Sequence, residues 1–173
     1  MNAEHDDMPL EEPPAAALDF DVLGQQIGFA AHRALLVLRR DFAQQVAPIR
    51  PISFNALVLI GANPGITQSE LANALILDKG TTAHLVRKLQ EQGWIERNNR
   101  SDDRRRKGVY LSASGVQEVD RLKREIRKVS DRWSALFLPE ERQQLLDLLN
   151  RIVAASATMS ESRESPPTGQ TPP

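Results

Sequence analysis

Apolar residues recur in steps of three and four through Leu23, Ile27, Ala30/Ala31, Ala34/Leu35, Leu38 and Phe42. One apolar stripe of that period predicts a long helix from Asp19 to Val46, which Pro48 and Pro51 end. A second helix is predicted from Ser53, its N-cap, to Ala62, with Ala56–Ile60 as its apolar centre and Asn63-Pro64-Gly65 as the turn that closes it. Thr67-Gln68-Ser69-Glu70 follows as a capping box: the Thr67 hydroxyl accepts from the Glu70 amide, and the Glu70 carboxylate reaches back to the Thr67 amide. The helix it opens is short, with Leu71, Ala72 and Leu75 as its apolar residues. Asp78 is placed to cap the next helix, which runs to about Gln92 and buries Thr82, Leu85, Val86 and Leu89. Gly93 supplies its C-terminal stop.

The period then changes from helical to alternating. Trp94-Ile95-Glu96-Arg97 and Gly108-Val109-Tyr110-Leu111-Ser112 both alternate, with polar and basic residues between them. Strand, basic loop and strand predict a β-hairpin. Two short capped helices followed by such a hairpin make a winged helix-turn-helix. From Val116 to about Leu138, Val119, Leu122, Ile126, Val129, Trp133 and Leu136 form a seam spaced like the inner positions of a coiled coil, which calls for a long helical partner. A last helix, Pro139 to about Ala157, has Leu145, Leu148/Leu149 and Ile152 on its inner side. The expected fold is mainly α with a small β-wing: a winged helix-turn-helix over 52–112, flanked by dimerisation helices at 19–48 and 116–157. Residues 1–18 and 159–173 carry too little apolar surface to offset the entropy of ordering and are read as disordered tails.

Composition narrows the function more than the fold. The chain of 173 residues holds no cysteine, which removes disulfides, cysteine–zinc sites and thiol chemistry together. No apolar run approaches the roughly 18 residues needed to span a bilayer. The net charge of −1 hides an asymmetry. Residues 1–21 carry seven carboxylates and no Lys or Arg, so the rest of the chain has 22 basic residues against 16 acidic ones. Six cations (Arg97, Arg100, Arg104, Arg105, Arg106, Lys107) crowd the hairpin against two anions, Asp102 and Asp103. A basic cluster beside a helix-turn-helix points to a polyanion partner, whereas most charge runs elsewhere are solvated surface.

The wing segment Asp103-Arg104-Arg105-Arg106-Lys107-Gly108-Val109-Tyr110-Leu111-Ser112-Ala113-Ser114-Gly115 fits the pattern D-x-R-x-x-x-[VL]-x-L-[ST]-x-x-G. Together with TQSELANALILDKGTTAHLVRKLQEQGWIER at 67–97, it resembles the multiple-antibiotic-resistance regulator (MarR) family over about 20–157. The resemblance implies a ligand-responsive, homodimeric transcriptional regulator, most often a repressor, that binds palindromic double-stranded DNA in the bacterial cytoplasm, at the nucleoid when on DNA. The implied DNA contacts are Thr67, Gln68, Lys79, Thr81, Thr82, His84, Arg87 and Lys88 from the helices, and Arg104, Arg105, Arg106 and Lys107 from the wing. Thr81 and His84 are the best candidates to read base edges, and Arg87 and Lys88 to hold phosphate, which fixes register without reading sequence. Asp103 would shape the wing loop around Arg105. Gly80, Ala83 and His84 depart from the residues usual in such families, so operator preference does not transfer from a relative.

The resemblance also implies a cleft for a small aromatic or anionic effector, in whose region Phe29, His32, Arg33, Arg40, Phe54 and Trp133 fall. Arginines there would suit an aromatic carboxylate or its acyl-CoA thioester, because guanidinium pairs bidentately with carboxylate or phosphate. No cofactor or metal is expected. Three scattered histidines and the lack of H-E-x-x-H, P-loop, G-x-G-x-x-G or G-x-S-x-G motifs leave an enzyme reading without support. The competing class is a winged helix that binds only protein, for which a wing with six cations is an unsuitable surface.

Overall fold

The computed structural model of the chain describes residues 18–98 and 108–164, which fall into two compact units dividing between Arg39 and Arg40. In the first unit, a 3-10 helix, Asp21–Gln25, precedes α1 (Ile27–Val46), whose residues from Arg40 onward belong to the second. The long helix expected from Asp19 is therefore interrupted. Asp21 has a positive φ of 46° and Gln26 is extended, so neither continues a right-handed helix. The rings of Phe20 and Phe29 lie 5.7 Å apart, tilted by 52°, and the Arg33 guanidinium lies over both at 4.7 and 5.6 Å.

In the second unit, α2 (Pro51–Ala62) occupies the middle of the core, with Ala56, Leu57 and Ile60 fully buried. It starts at Pro51 rather than at a Ser53 cap. Proline at the first turn loses no hydrogen bond there, and Ser53 is buried within that same turn. Around α2 pack Leu71 from α3 (Gln68–Leu75), Val86 and Leu89 from α4 (Lys79–Glu91) and Leu122 from α5 (Ala113–Ser134). The sheet has three antiparallel strands in the order β1 (Ile66–Thr67), β3 (Gly108–Leu111), β2 (Ile95–Asn98). Ile95 pairs with Leu111 and Asn98 with Gly108, the hairpin expected of the wing. The sequence analysis missed β1: Ile66 pairs with Val109, but two residues show no alternation.

Three boundaries of the last two helices need correction. α5 begins at Ala113, not Val116, because Ser112 caps it: its hydroxyl accepts from the Gly115 amide (3.0 Å) and donates to the Gly93 carbonyl (2.6 Å). It ends at Ser134, which leaves Leu136 off the seam and 67% exposed. α6 (Pro139–Glu164) outruns its expected end at Ala157 and enters the segment read as a tail. Leu145, Leu148, Leu149 and Ile152, expected inside, are 40–51% exposed in the single chain. Among the described residues, no single helix is long and apolar enough to cross a membrane.

Candidate nucleic-acid interface

The helix-turn-helix is built by its caps. Thr67 donates to the Glu70 carboxylate (2.7 Å) and accepts from the Glu70 amide (3.2 Å), while Glu70 takes the Thr67 amide (2.8 Å). The capping box read from the sequence is thus formed in full. Ile76 ends α3 in the left-handed region (φ 53°, ψ 49°), a costly place for a β-branched side chain, and turns the chain toward α4. Asp78 caps α4 by accepting from the Thr81 amide (2.8 Å) and hydroxyl (2.5 Å). The Thr81 hydroxyl, and then its amide, hold the Asp78 carboxyl below its usual pKa. Gly93, at φ +73°, closes the helix in a conformation that glycine enters without penalty.

α4 divides cleanly. Thr82, Leu85, Val86 and Leu89 point into the core, as expected; Lys79, Thr81, His84, Arg87 and Lys88 are exposed. Thr82 must leave the set of DNA contacts. It is fully buried, and its hydroxyl donates to the Asp78 carbonyl (2.9 Å). On the exposed face, Arg87 donates from Nη2 to Nδ1 of His84 (2.9 Å), and its Nε lies 3.9 Å from the Glu91 carboxylate. At the start of α3, the Gln68 side-chain oxygen accepts from Arg97 of β2 (3.0 Å), fastening the wing's first strand to the helix-turn-helix. Sequence reasoning counted Arg97 only as one of six wing cations and gave it no such role. Asp103, Arg104, Arg105, Arg106 and Lys107 lie outside the described residues.

The residues expected around an effector divide between the two units. Phe29 and Arg33 belong to the aromatic cluster of the first unit, where His32 is exposed. In the second unit Arg40 is exposed, and Phe54 packs against Phe42, with ring centroids 6.0 Å apart. Trp133 is occupied with a residue the sequence analysis passed over: its indole N–H donates to Asp41 (2.7 Å), and Arg132 pairs with the other oxygen of that carboxylate. Asp41 is the one charged residue among the described core positions, and Arg132 foremost, then Trp133, holds its carboxyl below the usual value. The only local signal was an acid set beside Phe42 in an apolar stripe. Among the described residues, no group of three His, Asp or Glu could hold a metal ion.

Comparison with known proteins matches residues 50–107 to the model of the MarR family. A putative transcriptional regulatory protein for the hcr operon of Thauera aromatica is 31% identical over 130 residues, 73% of this chain and 78% of that protein. The transcriptional repressor CouR bound to a 23-mer DNA duplex superposes with a TM-score of 0.72 at 30% identity, over 79% of this chain and 99% of CouR. CouR bound to p-coumaroyl-CoA gives a TM-score of 0.70 at 29% identity, over 79% and 97%. Of the described elements, the family model covers α2, β1, α3, α4 and β2.

Proposed function

The chain belongs to the MarR family of transcriptional regulators, and from that premise we propose that it is a ligand-responsive repressor that binds palindromic operator DNA as a homodimer. The observation that carries this reading is the division of α4. Its apolar side is locked into the core, and Thr81, His84, Arg87 and Lys88 line the side left to a major groove. In the proposed dimer, two such helices stand about 34 Å apart, one turn of DNA. An effector releases DNA by binding more tightly to an arrangement in which that spacing is lost. CouR, alike over nearly its whole length, binds p-coumaroyl-CoA. An aromatic carboxylate or its CoA thioester is therefore the effector class we propose here, and Arg33 with the rings of Phe20 and Phe29 offers a cation and aromatic faces suited to it.

The test is fluorescence polarisation of the purified protein against its own promoter region and a scrambled duplex, across salt, with Arg105→Ala alongside. Sequence-selective binding is expected, weakened about 10-fold by the substitution and with a shallower salt dependence. p-Coumaroyl-CoA or a related thioester should then release the promoter, where free CoA does not. Equal, weak binding of the wild type to both duplexes would sink the proposal.

A further inference from the structure

The exposed face of α4 is not a row of independent side chains. Glu91, Arg87 and His84 stand one helical turn apart and touch in sequence: the Glu91 carboxylate lies 3.9 Å from Arg87 Nε, and Arg87 Nη2 lies 2.9 Å from His84 Nδ1. The chemistry of the last contact has one solution. A guanidinium is protonated at every accessible pH and has five donors and no acceptor. His84 Nδ1 must therefore offer its lone pair, which makes the ring neutral and puts its proton on Nε2. Whatever His84 meets beyond the protein, it meets as a hydrogen-bond donor. Thr81 is fixed in the opposite sense. Its hydroxyl hydrogen goes to Asp78 at 2.5 Å, so outward it offers lone pairs and a methyl group.

We propose that Arg87 is a positioning residue that locks His84 as a donor, and that His84 thereby reads a guanine in each operator half-site. This rests on the DNA-binding reading above and deepens it. In the major groove guanine presents two acceptors, N7 and O6, while cytosine presents a donor and adenine pairs its one acceptor with a donor. A ring that only donates therefore gains most from guanine and loses most against cytosine. The assignment also changes the part given to Arg87. A lysine or arginine that only holds phosphate weakens binding to all sequences alike and contributes about one unit to the salt slope. An arginine that orients a reader changes preference at one base.

The experiment selects DNA from a random pool with the full chain, for the wild type, His84→Ala and Arg87→Ala, and records the imidazole 1H–15N correlations of each free protein that retains His84. The wild type should show His84 with its proton on Nε2 and select a guanine in each half-site. Replacing that guanine by 7-deazaguanine should cost about 5- to 10-fold in affinity, and little for His84→Ala. Both variants should lose preference at that one position and keep the rest of the motif, and Arg87→Ala should relax the ring toward a mixture of tautomers. A motif that His84→Ala selects unchanged, or a wild-type ring protonated on Nδ1, overturns the inference while DNA reading stands. Uniform weakening by Arg87→Ala, with the motif intact, overturns Arg87's positioning part. If the wild type selects no sequence at all, the DNA-binding proposal fails and this inference with it.

Discussion

The helix-turn-helix and α6 treat their leucines in opposite ways. Leu71 and Leu89 are fully buried, in a core that α2, α3, α4, β3 and α5 close within one chain. Leu145, Leu146, Leu148 and Leu149 on α6 are 40–46% exposed, and no residue of that helix through Ala155 is buried. α5 joins the two regimes. Val119 and Leu122 near its start are buried, Ile126, Val129 and Trp133 half-buried, and Leu136 just beyond its end is open. A row of exposed leucines that size is rare on a monomer. The helix-turn-helix thus completes its core within one chain, while α6 leaves to the proposed second copy what one chain cannot cover.

The largest expected effect tests the closed region. A Cβ on Gly115 would lie 1.9 Å from the Trp94 carbonyl oxygen, where the first turn of α5 meets the backbone just before β2. Helix propensity favours Ala over Gly by about 1 kcal/mol. The clash opposes it with about 3 kcal/mol or more, the upper range for overpacking. Gly115→Ala should lower the melting temperature by on the order of 6 °C or more. Gly28→Ala in α1, where nothing lies within 4 Å of the added methyl, should leave it level or slightly raised. Equal melting temperatures for the two variants would mean that the packing between α5 and Trp94 is looser than described.

The next effect tests the open region. In a single chain, Leu148→Glu with Leu149→Glu alters exposed positions and should change stability by about 0.5 kcal/mol or less at each. In a dimer that buries them, four carboxylates would enter an apolar seam, and self-association should weaken by at least about 100-fold. Sedimentation equilibrium at micromolar protein separates the cases. An unchanged mass would remove α6 from the interface.

What the sequence made legible follows the same division. Thr67 with Glu70, Asp78 and Gly93 are signals whose partners lie within four residues, so the caps of α3 and α4 were readable and formed as expected. The exposed side of α4 followed from period alone, and Thr82 should have been excluded on that ground, since it lies in the buried stripe. Ser112-Ala113-Ser114-Gly115 looks like a turn because glycine is a poor helix residue. Only the approach of Trp94, 21 residues earlier, explains a glycine inside the first turn of α5. The exposure of the leucines of α6 was invisible too. An apolar stripe states that a face wants cover and does not say which chain supplies it.

Asp41 is the farthest from local reading, with partners 91 and 92 residues away. It sits where apolar packing along α5 thins out. There the end of α1 is held to α5 by one carboxylate, shared between the Arg132 guanidinium and the Trp133 indole. Both favour the charged form, Arg132 most, so the native carboxyl titrates below its usual value of 3.8. A lowered native pKa fixes the sign of the linkage. The contribution to stability is present in full above the unfolded value and is lost as pH falls through the native one. Urea midpoints of wild type and Asp41→Asn should therefore differ at pH 7, with the wild type higher, and converge as pH drops below about 4. Asn keeps an acceptor for the indole and lacks the charge for Arg132, so the difference should be the smallest of the three effects. A gap that persists undiminished at pH 3 would assign the loss to packing around Asp41 instead of to its charge.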